Sequence, residues 1–325
     1  KMITDSYRKP VLIDNRNLRT RIPDITLFFK KVEEEANSFP KENGLIVDKE
    51  YVDFRPCPIC ASEKAEQLFI KWGFKYVQCP TCQHVYVKNA LNEKTLLGLY
   101  ETSPTDKIDR SARTTNLYQQ YWQKMYDKYL SLFKELDIKN NRLFDIGAGS
   151  GLFLDYAKKH TTFELYGSEF AEDTKEFIES IVGADHFYYQ QKLEDTDFGD
   201  LKFGFLTLWG VLEHVYHPKE VLAKCADILD PEGSIIALVP NFKSRAIQIL
   251  GISTPTLNPR GHVQNFSIES MEYLCKNVGL KIADVFGELP VIDLMYDHLD
   301  YSDQLVDEIM EKKQSYYHVY RLQKV

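Results

Sequence analysis

From about residue 142 onward the chain alternates short apolar runs of strand length with longer runs of helical period. The strand-like runs are "RLFDIG", "FELYGSE", "HFYYQQ", "FGFLTLWGV" and "GSIIALVPN", and "GLFLDYAKKH", "AEDTKEFIESIVG" and "PKEVLAKCADIL" read as helices among them. Parallel strands cannot be joined by a tight turn; they need a crossover, usually a helix, which then covers a face of the sheet. The alternation therefore predicts an α/β fold: a doubly wound, mostly parallel sheet with helices on both faces. Two more strand-like runs, "KIADVFG" and "YYHVYRLQKV", follow the helix "SIESMEYLCKNVG", which starts at a Ser cap and ends at a Gly. They bring the count to seven strands, and the last is expected to pair antiparallel.

The first strand-to-helix crossing carries "DIGAGSG", Asp145 to Gly151. In open parallel sheets, ligands bind where strands end and helices begin. Glycines there permit tight turning and close backbone approach to a ligand. A dinucleotide site expects G-x-G-x-x-G, with donors aimed at a pyrophosphate. This turn has the spacing G-x-G-x-G, with a carboxylate two residues before Gly147. An anion at that point repels phosphate and attracts a cation. S-adenosylmethionine carries a sulfonium and an ammonium and no phosphate, so charge selects it over a dinucleotide. Glu169, at the end of the second strand and 18 residues past Gly151, stands where a carboxylate accepts both hydroxyls of an adenosine ribose.

Residues from about 140 to 325 resemble the class I S-adenosylmethionine-dependent methyltransferases. The likeness rests on "DIGAGSG", Glu169, "LEHVYHP" after the fourth strand, "LVPN" at the fifth and "RGHVQNFSIESMEYLCKNVGLK". It implies a Rossmann-like domain that binds S-adenosylmethionine and releases S-adenosylhomocysteine. By the same resemblance, Asp145, Gly147, Ala148, Gly149 and Gly151 frame the methionine part. Glu169 holds the ribose with Phe170 beside it, Leu193 and Glu194 sit near adenine, and Trp209 and Gly210 close the floor. Methyl transfer is an in-line displacement in which alignment is the main work. An oxygen or nitrogen acceptor also has a proton to lose, and a His of near-neutral pKa suits that task. The catalytic candidates are His214 and His262, with His217 behind them; each can equally serve as a structural hydrogen-bonding group. His160, at a helix end, reads as surface. An aromatic helix over about 114–136 places Leu117, Tyr121, Met125, Tyr129 and Leu132 along one side. It either covers the cofactor as a lid or packs on the sheet.

Six cysteines are present, four of them as "CPIC" (Cys57, Cys60) and "CPTC" (Cys79, Cys82) with 18 residues between the pairs. Two residues between paired cysteines let one turn present both sulfurs to one metal, and the longer gap lies within the usual window for zinc. Short strand-like runs, "EQLFI", "FKYVQ" and "HVYVK", complete a zinc-ribbon pattern. Disulfides compete with this reading, but a cytosolic setting disfavours them. Four thiolates make a closed, structural Zn²⁺ site, and a module of roughly 40 residues needs one because its own core is thin. Cys225 and Cys275 stand alone in helix-like stretches and read as buried small hydrophobes.

These features divide the chain into an arm with one helix (1–50), a zinc ribbon (51–92), a helical linker or lid (93–138) and the methyltransferase domain (139–325). In the arm, Ile25, Phe28, Phe29 and Val32 share a helical face. A formal net charge of −8 argues against broad nucleic-acid binding. The charge is uneven: residues 1–31 hold eight Lys or Arg against three Asp, while residues 282–311 hold nine acids and no Lys or Arg. Such faces invite a homodimer, or are simply solvated. No window is apolar enough to span a membrane, and the first residues lack an apolar signal core, so the expected location is cytoplasmic. The resembled subgroup with N-terminal cysteine pairs implies a small-molecule acceptor: a saccharide, a nucleotide-sugar or a surface-polysaccharide precursor. The alternative is an RNA methyltransferase that grips nucleic acid through the ribbon, which offers Lys64, Lys71, Lys75 and Lys88. A non-catalytic binding protein that keeps the fold is a third reading, and a dehydrogenase fits the glycine spacing badly.

Overall fold

The computed structural model describes residues 5–113 and 115–325. Three helices open it: α1 (Asp5–Arg8), α2 (Leu18–Arg21) and α3 (Pro23–Ser38). The cysteine-bearing segment follows with β1 (Val52–Phe54), β2 (Glu66–Lys71), β3 (Phe74–Gln78), β4 (Val85–Val87) and β5 (Asn89–Leu91). Strands β2 and β3 form a hairpin whose two-residue turn is Trp72-Gly73. Both turn residues have positive φ, 54° and 92°, the combination that matches the twist of a hairpin. Three helices lead on: α4 (Glu93–Thr102), α5 (Pro104–Arg113) and α6 (Asn116–Glu135). Thr114, where the sequence pattern starts the aromatic helix, lies outside the described residues.

The alternating segment runs β6 (Arg142–Ile146), α7 (Leu152–His160), β7 (Glu164–Glu169), α8 (Lys175–Val182), β8 (Phe187–Tyr189), β9 (Phe203–Trp209), α9 (Pro218–Ile228) and β10 (Leu229–Pro240). It closes with α10 (Arg245–Leu250), β11 (Gln264–Asn265), α11 (Ile268–Lys276), β12 (Leu280–Glu288), α12 (Asp303–Glu311) and β13 (Tyr317–Lys324). Seven of these strands form one sheet in the order β12-β13-β10-β9-β6-β7-β8. Strands β8, β7, β6, β9 and β10 pair in parallel, and β13 inserts antiparallel between β10 and β12. The chain winds outward from β6 to β8, then returns to lay β9 on the other side of β6. That reversal is a topological switch point, where such sheets leave a crevice at their carboxyl ends.

Successive strand residues point to opposite faces, and the buried residues sort accordingly. Leu143, Phe205, Ile236 and Val319 face one core with Met125, Tyr129 and Phe133 of α6 and Phe153 of α7. Phe144, Leu206, Ala237 and Tyr320 face the other, with Leu222 and Cys225 of α9 and Leu274 and Cys275 of α11. Burying a side chain of Leu or Phe size contributes about 1.5–3 kcal/mol, so each layer fixes the sheet firmly beneath the crevice.

Two features differ from the sequence pattern alone. The cysteine-bearing sheet has four strands in the order β11-β4-β3-β2, and its edge strand β11 comes from the loop after β10. The opposed charges of the two ends meet inside one chain: Arg8 reaches Asp284 at 3.7 Å and Arg19 reaches Asp293 at 2.9 Å. Lys128 of α6 pairs with buried Glu288, which also accepts from Val11 N–H. Part of the charge complementarity between the two ends is thus met within one chain.

Candidate active site

A cavity of about 550 Å³ opens above the carboxyl ends of β6, β7 and β9, within the size range of small-molecule sites. Asp145, Gly147, Ala148, Gly149, Glu169, Phe170, Leu193, Glu194, Trp209 and Gly210 all line it. Gly151 does not. It caps α7 in a left-handed conformation, φ 74°, and an added Cβ would meet Ile178 and Phe177 at 3.0–3.1 Å. Its work is packing of the turn against α8.

The turn's amides are spent internally. Gly147 N–H donates to Ser168 Oγ (3.2 Å), Ala148 N–H to the Ser168 carbonyl (2.8 Å) and Gly149 N–H to Glu169 Oε2 (2.5 Å). Gly151 N–H donates to the Ala148 carbonyl at 2.9 Å. A phosphate cradle needs such donors aimed at the ligand, and these four are not. At Gly149, φ 56°, an added Cβ would meet no atom within 4 Å. The backbone there faces open space that an uncharged or cationic ligand can enter closely. The residues fit S-adenosylmethionine by this test.

Asp145 is buried, 1% exposed, and accepts from Thr207 Oγ1 at 2.7 Å. Burial raises its pKa to about 8, opposed by that hydrogen bond and assisted by the charge of Glu169. The anion expected from the sequence at Asp145 is therefore not preformed. Before a ligand arrives this carboxyl is mostly protonated at neutral pH, and a cation draws out the charged form. Glu169 is likewise pushed up by burial, while its hydrogen bonds with the Ala171, Gly149 and Phe170 amides favour the carboxylate.

The same cavity is lined by His214 and His262, with ring centroids 4.6 Å apart in an edge-to-face arrangement. The Nδ1 of His214 meets the Gly261 carbonyl at 3.1 Å, and that of His262 meets the Thr256 carbonyl at 2.9 Å. A carbonyl can only accept, so each Nδ1 carries the hydrogen. Burial drives the His262 pKa down to about 4 and holds that of His214 well below the usual imidazole range, so both rings are neutral at pH 7. Glu213, 3% exposed, lies beside them, and its Oε2 has no hydrogen-bond partner among the described residues. Its pKa is raised by burial to about 8. His217 caps α9 and stands outside the cavity, and His160 is exposed at the end of α7.

A methyltransferase-domain family profile matches residues 118–285, just over half of the chain and including the glycine turn and both histidines. The chain belongs to this family. It is an S-adenosylmethionine-dependent methyltransferase. A ubiquinone biosynthesis O-methyltransferase of Coxiella burnetii is 23% identical over 207 residues, 57% of this chain and 88% of that protein. A tRNA U34 carboxymethyltransferase of Sulfurimonas denitrificans is 30% identical over 112 residues, 34% of this chain and 38% of that one. Among solved structures, the plantazolicin methyltransferase BpumL in complex with S-adenosylhomocysteine superposes with a TM-score of 0.49 and 14% identity, over 70% of this chain and 93% of that one.

The methyltransferase builds the rest of the cavity wall from distant pieces. Ile25, Phe28 and Phe29 of α3, Arg110 and Arg113 of α5, Tyr118, Tyr121 and Trp122 of α6 and Tyr317 of β13 all line it. Helix α6 therefore both packs on the sheet, through Met125, Tyr129 and Phe133, and covers the cavity. The arm's apolar stripe is visible in the sequence as a helical face, but nothing local shows what it covers. Glu213 was missed too, although it adjoins His214 in the "LEH" motif.

The cysteine-bearing sheet braces both histidine loops. Val87 N–H donates to the Val263 carbonyl (3.1 Å), and Arg55 donates to the carbonyls of Val87, Tyr216 and Val263. Gln264 N–H donates to the Glu213 carbonyl (3.1 Å), while its side chain joins His84 and the Val215 carbonyl, both at 2.9 Å. From the other side Arg260, 2% exposed, is held by Glu35 of α3 and by Asp106 and Ser103. The loop carrying His262 is thus clamped between the arm and the cysteine module. Cys57, Cys60, Cys79 and Cys82 bring their sulfurs within 4.8 Å of one another, with Cys57 to Cys82 and Cys60 to Cys79 each at 3.4 Å. None is in a disulfide.

Proposed function

We propose that this methyltransferase methylates a hydroxyl of a small hydroxylated molecule, and that His214 and His262 align that hydroxyl. The observation that carries the reading is the pair of neutral imidazoles opening on the same cavity as the glycine turn. Bound there, S-adenosylmethionine supplies an electrophilic methyl group on a sulfonium. Asp145, Gly147, Ala148 and Gly149 would hold its methionine part, Glu169 and Phe170 the ribose, and Leu193 and Glu194 the adenine; Trp209 closes the floor and Gly151 keeps the turn packed. His262, oriented through Nδ1, presents its other nitrogen as a hydrogen-bond acceptor that aligns the acceptor hydroxyl; burial leaves it less basic than the near-neutral imidazole expected from the sequence. The aromatic and arginine-bearing wall suits a sugar ring or a nucleotide-linked sugar. A second reading, a phenolic acceptor, is favoured by the apolar stripe of α3 and by the name of the Coxiella relative. The four cysteines would hold a structural Zn²⁺ tetrahedrally, since a closed set of thiolates suits that ion. They fix the ribbon of 51–92 against the catalytic unit of 139–325.

The test incubates the protein with labelled S-adenosylmethionine and a panel of nucleotide-sugars, phenols and RNA fragments, watching which gains the mass of one methylene. His262→Ala is expected to lower kcat by about 10²–10⁴-fold while S-adenosylhomocysteine binding, read by calorimetry, stays within about twofold. Methylation of RNA alone, or a variant with undiminished kcat, would refute the reading.

A further inference from the structure

We propose that Glu213, His214 and His262 together bind a divalent transition-metal ion of the zinc type, and that this ion is what the two histidines use to activate the acceptor. The inference rests on the methyl-transfer reading of the same site, and it gives the second nitrogens of the histidines to the ion in place of the direct contact with the acceptor described above. The three residues each offer one donor atom, and those atoms lie within 4.8 Å of one another. Around a tetrahedral ion with bonds of about 2 Å, donors stand roughly 3.3 Å apart, so small side-chain rotations close the set.

Three features point to an ion rather than to a simple histidine pair. First, both imidazoles donate Nδ1–H to a backbone carbonyl, of Gly261 and of Thr256. That outer-shell bond is what orients metal-ligating histidines and fixes the tautomer that offers Nε2. Second, Glu213 is 3% exposed and lines the cavity with an oxygen that has no partner among the described residues. A buried carboxyl left half unsatisfied is costly, and a cation at this point would remove the cost. Third, the nearby cations are already balanced. Arg113 is paired with Asp109, and Arg260 with Glu35 and Asp106.

Two imidazoles and one carboxylate suit Zn²⁺, Mn²⁺ or Fe²⁺ better than Mg²⁺ or Ca²⁺. Three protein ligands also leave an open position, the arrangement of catalytic rather than structural zinc. An acceptor hydroxyl at that position would release its proton to solvent more readily. The site differs in kind from the cysteine cluster, which is closed.

The experiment uses the full chain loaded with Zn²⁺ and, separately, with Co²⁺, then desalted and assayed for bound metal. Two equivalents per chain are expected in the wild type. Glu213→Gln and His262→Ala should each retain one, with S-adenosylhomocysteine binding as the control for folding. The Co²⁺ spectrum of the wild type should combine thiolate charge-transfer bands with weaker nitrogen–oxygen bands, and only the latter should disappear in Glu213→Gln and His262→Ala. One equivalent in the wild type, or a second equivalent that survives His262→Ala, overturns the proposal. The histidines then act without a metal and the methyl-transfer reading stands. Two equivalents with no hydroxyl methylated in the acceptor panel would instead sink that reading and leave the metal site.

Discussion

Two parts of the cavity are built on opposite plans: the end at the glycine turn, proposed above to hold the cofactor, and the remainder, proposed to hold the acceptor. The cofactor end comes from β6, β7 and β9 and the turns that follow them, so its residues lie close together in sequence. The acceptor end draws on α3, α5, α6, the loop of 254–262 and β13, and it is held in place by the cysteine module and by Arg260. The first plan makes a site local and robust, whereas the second makes it depend on parts far from the chemistry. Changes that separate the two ends are therefore the most informative.

The largest separation should come from the cysteines. Structural zinc sites contribute about 10 kcal/mol or more to the folding of small modules. In Cys57→Ser, Cys82→Ser the ribbon should lose its order, and with it the β4–β11 pairing that positions Val263 and Gln264. Displacing a reacting group by about 1 Å costs on the order of 10²-fold, so turnover should fall at least that far. Binding of S-adenosylhomocysteine, measured by calorimetry, should change little. Equal loss of both would show that the ends are not separable.

The converse change is Glu169→Ala. Two hydrogen bonds to a charged group are each worth about 1.5 kcal/mol, so affinity for S-adenosylhomocysteine should fall about 100-fold. The thermal transition of the ligand-free protein reports any damage from losing the bonds to the Gly149, Phe170 and Ala171 amides.

The same contrast explains what could be read from the sequence. The sheet, its switch point and the glycine turn follow from periodicity and from φ requirements that only glycine meets cheaply, and both signals are local. The residues that line the cavity at the ends of β6, β7 and β9 were legible for that reason, apart from Gly151, which packs rather than lines. His214 and His262 were legible as loop residues beyond the fourth and fifth strands. Their closeness, and the presence of Glu213 beside them, is a tertiary fact. So is the strand β11, two residues long, whose identity depends on β4 being there to pair with it. The buried state of Asp145 was also out of reach, because desolvation depends on atoms that arrive from Thr207 and the helices.

That buried acid makes a third, smaller test. Its raised pKa of about 8 means that the ligand-free folded chain holds a proton the unfolded chain has lost above about pH 4. The stabilising contribution is full below that pH and disappears as pH rises through about 8. Binding a cation requires the charged form, which grows about tenfold between pH 7 and pH 9. Affinity for S-adenosylmethionine should rise by up to that factor, more than affinity for the neutral thioether product. Calorimetry at the two pH values, repeated on Asp145→Asn, checks this; parallel curves for the two ligands would remove Asp145 from the recognition of charge.

The smallest effect belongs to the arm. Phe28 lies on the apolar face of α3 and half-buried in the cavity wall, with no hydrogen bond to lose. Truncation to Ala removes apolar contact worth about 1 kcal/mol to a ligand that touches it, or roughly fivefold in affinity. An acceptor that lies along α3 should therefore show a KM raised about fivefold, with kcat and S-adenosylhomocysteine affinity unchanged. Because the arm is tied to the histidine loop through Glu35 and Arg260, a fall in kcat instead would mean that α3 acts by holding that loop and not by touching the acceptor. The ratio of the two effects thus measures whether this wall of the cavity is a binding surface or a brace.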